Sequence, residues 1–113
     1  MRPTASATDW AEVAVLYGRL EAMVPSPVIS LNRAVAVAMA DGPVVGLRLV
    51  DELEAGGTLE GYHLLLATRA DLLRRLGRHD EAAAAYRRAL ELAPTDAERR
   101  YLTRRLAESA TAG

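Results

Sequence analysis

Helix-breaking residues punctuate this chain at short intervals, and they leave little room for anything but short helices. Pro25-Ser26-Pro27, Asp41-Gly42-Pro43, Ala55-Gly56-Gly57, Gly77 and Pro94 each separate one apolar-periodic stretch from the next. Proline suits the first turn of a helix and glycine the position just past its last, so such marks stop one helix and start another. Between them apolar residues recur every three or four positions, and no period-two run is bounded by hairpin turns. The spacing predicts six helices, over about 8–24, 27–41, 43–55, 59–76, 80–92 and 95–109. Asp9 with Glu12 and Thr95 with Glu98 have capping-box spacing, and Ser26 stands as the N-cap before Pro27. In the first helix Trp10, Val13, Ala14, Tyr17, Leu20, Glu21 and Val24 form the repeating stripe; the tail from Ala110 to Gly113 is expected to fray. Connections this short make consecutive helices antiparallel neighbours.

The helices repeat. Gly42 and Gly77 stand at equivalent turns 35 residues apart, each after a helix with small residues on one face: Ala34 and Ala38, then Ala67 and Ala70. The better copy runs from His63 to Pro94, with Ala70 and Leu73 in its first helix, Gly77 at the turn, Ala82, Tyr86 and Ala89 in its second helix, and Pro94 at the exit. Two helices approach closely only where small side chains face each other, which gives Ala70, Ala82 and Ala89 a packing role and leaves Tyr86 to fill the space between repeats. This pattern resembles the tetratricopeptide repeat. The resemblance implies an all-α fold of antiparallel helix pairs in a right-handed stack of about six helices, one helical-repeat domain over residues 1–113. The earlier copy, about 28–61, is degenerate, with Asp51 standing where Tyr86 stands in the better one.

Composition narrows the function classes. Half the residues are hydrophobic and 26% charged, the balance of a chain that buries a core. The net charge of -1 supplies no field for nucleic acid or an acidic membrane. All 14 basic residues are Arg, and Phe is absent too, a usage that points to a GC-rich bacterial genome. With no Cys, disulfides and thiolate metal sites are excluded, and a reducing, cytoplasmic setting is expected. No apolar run reaches a membrane span, and residues 1–6 do not read as a secretory signal.

Catalytic patterns are missing. His63 and His79 have no metal-ligand spacing, Gly56-Gly57 fits a turn rather than a phosphate loop, and no serine sits in a nucleophile elbow. The expectation is a non-enzyme without cofactor or metal. Four residues read as a structural polar network: Arg33 reaching solvent beside Asn32, Tyr62 and His63 as an inter-helix contact, and Arg69 pairing with Asp51 or Glu54 to fix helix register.

Stacked helix pairs curl, and the first helix of each pair lines the concave side. Projection places Asn32, Ala36 and Met39 there from the second helix, Asp71, Arg74 and Arg75 from the fourth, and Tyr101, Arg105 and Glu108 from the sixth. Such a face suits an acidic or amphipathic segment of a protein partner. Equally, Arg74, Arg75, Arg104 and Arg105 fit a solvated face paired with Glu98 and Glu108. The basic pairs lie on separate helices rather than in a one-sign stripe, so no direct contact with DNA or RNA is expected.

A longer pattern sharpens the reading. Thr8-Asp9-Trp10, Pro25-Ser26-Pro27-Val28, Leu31-Asn32-Arg33-Ala34-Val35-Ala36, Asp41-Gly42-Pro43, Gly61-Tyr62-His63-Leu64-Leu65, Arg69-Ala70-Asp71-Leu72-Leu73, the run from Ala82 to Pro94, and Asp96-Ala97-Glu98-Arg99-Arg100-Tyr101-Leu102 follow one another in order. From about Thr8 to Glu108 this resembles the C-terminal tetratricopeptide-like extension of bacterial extracytoplasmic-function RNA polymerase sigma factors. The resemblance implies a non-catalytic domain that modulates transcription initiation by meeting the sigma core or a polymerase-associated protein. Nothing here matches the promoter-binding regions of that family. An excised C-terminal domain and a shortened stand-alone relative both fit, and a tetratricopeptide-like adaptor with another partner is the alternative. The oligomeric state is left open.

Overall fold

The computed structural model describes residues 8–112. It contains six helices: α1 (Trp10–Met23), α2 (Pro27–Asp41), α3 (Pro43–Gly56), α4 (His63–Arg75), α5 (His79–Leu92) and α6 (Asp96–Ala112). Each packs on its neighbours in sequence, and α2 also touches α4. The chain is an all-α helical-repeat stack of antiparallel pairs.

Local chemistry sets the boundaries. The Glu12 N–H donates to Asp9 Oδ1 at 3.1 Å, and the Glu98 N–H to Thr95 Oγ1 at 3.2 Å, so each cap satisfies a first-turn donor. Pro27 and Pro43 each begin a helix. Ser26 occupies its N-cap position without a side-chain cap bond. Gly42, with φ 104°, alone joins α2 to α3. After α4 the Arg78 N–H donates to the Leu73 carbonyl at 2.9 Å and the Gly77 N–H to that of Arg74 at 3.0 Å. That is a Schellman close, and it needs the left-handed conformation Gly77 adopts at φ 77°.

Two boundaries are corrected. α4 starts at His63 rather than 59, because Gly57 and Gly61, at φ 75° and 79°, bracket a turn that no helix continues through. Leu59 in that turn is buried all the same. At the far end, α6 continues through Ala112 instead of stopping near Ser109, which is buried against the stack; Gly113 lies outside the described residues. The α1 stripe is the less exposed side of that helix: Trp10, Val13, Ala14, Tyr17 and Glu21 are half-buried, Leu20 and Val24 at its edge are 41% and 54% exposed, and no α1 residue is fully buried.

The core lies between α2 and α6. Leu31, Ala34 and Ala38 meet Leu47 and Val50; Leu65, Ala70, Leu72 and Leu73 meet Ala82, Ala85, Tyr86 and Ala89; Leu102 closes the α6 side. Leu73, Tyr86, Leu102 and Val50 are the largest side chains with essentially no exposure. Each aliphatic one contributes about 2 kcal/mol by leaving water.

Candidate functional site, the face between α4 and α6

The first helices of successive pairs, α2 and α4, share one side of the stack with α6. Across it α4 and α6 are separated by a cleft of about 330 Å³ lined by His63, Leu64, Ala67, Asp71, Glu98 and Tyr101, among others.

Its floor is a network centred on Asp71. The Tyr86 hydroxyl, from α5, donates to Asp71 Oδ1. The Tyr101 hydroxyl, from α6, lies 3.2 and 3.1 Å from the two carboxylate oxygens. Each hydroxyl also accepts from an arginine, Tyr86 from Arg74 Nε at 3.1 Å and Tyr101 from Arg105 Nε at 3.4 Å. Arg105 lies over the Tyr101 ring, 5.4 Å from its centroid, and bonds Glu108 at 2.9 Å. One carboxylate thus ties three helices together through two phenols. Burial pushes the Tyr86 hydroxyl's pKa above the ordinary tyrosine range; its bond to Asp71 adds to the rise and Arg74 opposes it. Arg105 is held more firmly protonated than usual, through Tyr101 first and Glu108 second.

This arrangement changes how the projected partner residues read. Asp71, Arg74, Tyr101 and Arg105 do share one face, but their polar atoms are engaged within the fold. Ala36 is buried and drops out of that face. Asn32, Met39 and Arg75 are exposed, with Arg75 Nη1 3.5 Å from Met39 Sδ. Arg104 is exposed as well. Val28, Val35, Met39 and Leu64 are 36–45% exposed, an apolar strip on α2 and α4. The open face is therefore apolar toward α2, with Arg75 and Arg104 charged beside it.

The remaining polar residues are placed as follows. Arg69 Nε lies 2.9 Å from Asp51 Oδ1 and 3.4 Å from Glu54 Oε2, which ties α4 to α3. Arg33 is 3.9 Å from Glu21, while Glu21 bonds Ser30. Tyr62 and His63 meet edge to face at 5.6 Å. His63 Nε2 is 3.1 Å from Glu98 Oε1 but off the direction of a hydrogen bond, so the contact is one of charge whenever the imidazole is protonated. Ala70, Leu73, Ala82, Tyr86 and Ala89 are fully buried, and Pro94 is exposed beyond α5.

Sequence reasoning passed over two features. The first is the Tyr86 hydroxyl as a polar group; a tyrosine at a packing position was the available signal, since a buried phenol needs a partner. The second is Gly46. A Cβ placed there would lie 2.3 Å from Ala38 Cβ, so α2 and α3 touch at that point. A glycine inside a helix is itself a packing signal.

Among the described residues no cluster of His, Asp or Glu could hold a metal ion, and no helix is long and apolar enough to cross a membrane.

Residues 63–96 match the tetratricopeptide repeat family. Repeats of that kind are protein-interaction modules. An uncharacterized protein of Rhizobium meliloti (strain 1021) is 44% identical over 99 residues, which are 88% of this chain and 23% of that protein. The chain thus spans about a quarter of the length of this relative, which runs to about 430 residues.

Proposed function

We propose that this chain is a non-catalytic, cytoplasmic regulatory domain of an extracytoplasmic-function sigma factor, and that it modulates transcription initiation by contact with the sigma core or a polymerase-associated protein. The observation that carries the interaction part is the pinned α4–α6 face. A side held rigid by Asp71, Tyr86 and Tyr101 presents Leu64, Met39 and Val35 beside Arg75 and Arg104. Rigid apolar area next to exposed cations suits an amphipathic segment with carboxylates at one end. The transcription part is supported by the ordered residue runs from Thr8 to Leu102. The Rhizobium relative, in which the matched portion is a minor part, fits a domain within a longer protein.

The test is transcription in vitro with the complete sigma polypeptide. Arg75→Glu with Arg104→Glu is the informative pair, because both side chains are exposed and neither hydrogen-bonds within the Asp71 network, Arg104 meeting it only through the Tyr101 ring at 6.0 Å. The expected result is an altered initiation rate with a melting temperature lowered by no more than the loss of one exposed cation–π contact, about 0.5–1 kcal/mol. Unchanged initiation, both with this pair and with the whole stack removed, overturns the sigma reading and leaves an adaptor for another protein.

A further inference from the structure

The two ends of the stack are built differently. At one end α6 presents Arg99, Arg100 and Thr103 to solvent. That is the polar outer face a terminal helix of a repeat stack needs. At the other end α1 presents Val15 and Leu16 (each 54% exposed), Leu20 (41%), Met23 (78%) and Val24 (54%). α1 packs on α2 and buries no side chain completely. By the logic of a stack α6 is a cap and α1 is an interior helix with one neighbour missing.

We infer that the outer face of α1 is covered by an amphipathic helix belonging to the same, longer polypeptide, a further layer of this stack. Size decides between this occupant and a second copy of the chain. Five partly exposed side chains make a patch of a few hundred Å². A stable interface between separate chains takes roughly 800 Å² from each partner. A tethered helix faces the same patch at an effective concentration on the order of millimolar, so the smaller area suffices. The relative supplies the precedent for length, with about 330 residues outside its 99 matched ones. Arg19 is exposed among these apolar residues, and a carboxylate on the covering helix would pair with it once water is displaced. The inference stands whether or not the longer polypeptide is a sigma factor.

The chain has no cysteine, so one introduced thiol reports one place. Met23→Cys probes the α1 face, and Ala84→Cys, on the exposed side of α5, is the control. Alkylation rates are read on the tryptic peptides 20–33 and 79–87, in the complete gene product and in the 113-residue chain. The Met23→Cys thiol is expected to react at least tenfold more slowly in the complete product, with Ala84→Cys equal in both. Equal Met23→Cys rates, equal slowing at both positions, or a reading frame of these 113 residues alone overturns the inference. Slow reaction in the 113-residue chain that speeds up on dilution overturns it in favour of a second copy.

Discussion

The pairs α2–α3 and α4–α5 reach similar packing by opposite means. In α4–α5 the helices meet at Ala70 and Ala82, and Tyr86 fills the space beyond, its hydroxyl tied to Asp71. In α2–α3 Gly46 removes the side chain altogether and lets the backbone close on Ala38. Burial sets the register between the pairs at 36 residues, not 35. Ala34 then corresponds to Ala70, Gly46 to Ala82, and Val50 to Tyr86, all buried. Asp51, expected at the Tyr86 position, is instead exposed and pairs with Arg69. The fold thus repeats where the side chains do not, and the match to the repeat family falls on 63–96.

Gly46→Leu should break the comparison most sharply. Its side chain has no space against Ala38, and the overpacking should cost about 3 kcal/mol, read as a lower urea midpoint. A loss as small as that of a surface change would mean the helices separate freely. Tyr86→Phe comes next, because it removes the polar tie that α2–α3 lacks. The expected loss is about 1.5 kcal/mol at neutral pH. The same variant has a pH signature. Folding raises the Tyr86 pKa, so its stabilisation is intact below the free-tyrosine value of about 10 and is lost as pH climbs above it. Melting curves from pH 8 to 11 should show a shallower alkaline decline in Tyr86→Phe than in the parent.

Ala82→Gly imports the α2–α3 solution into α4–α5. It should destabilise by about 1 kcal/mol through helix propensity, since α4 is not placed to close the gap. A gain in melting temperature would show that the two contacts are interchangeable. Arg69→Ala should have the smallest effect. Its carboxylate partners are about half exposed, so solvent screens the pairs and the loss should be about 0.5 kcal/mol, smaller still in 0.5 M salt.

The helix count and the better repeat were legible because prolines, glycines and caps act locally. Gly77 closes α4 by bonds within six residues, and Asp9 caps α1 within three. What stayed hidden depended on distance. Asp71, Tyr86 and Tyr101 come from three helices, and no spacing rule brings them to one point. Placing Asp71 and Arg105 on a common face was within reach of periodicity. Finding them bonded inward was not, because that depends on how closely α6 approaches α4. The exposed Val15, Leu16 and Met23 on the other side of α1 were passed over for a related reason, since periodicity marks one face without saying what covers the opposite one.

The Asp71 carboxylate also bears on the order of events in folding. Neighbour-on-neighbour contacts need little loop closure, so each helix pair can assemble early and quickly. The bond from Asp71 to Tyr101 spans 30 residues, against 15 to Tyr86. On loop closure alone it is expected to form last, after α5 is in place. Kinetically, Tyr101→Phe should therefore hasten unfolding and leave the refolding rate nearly unchanged. In its last step the chain fastens with a latch and not with a nucleus.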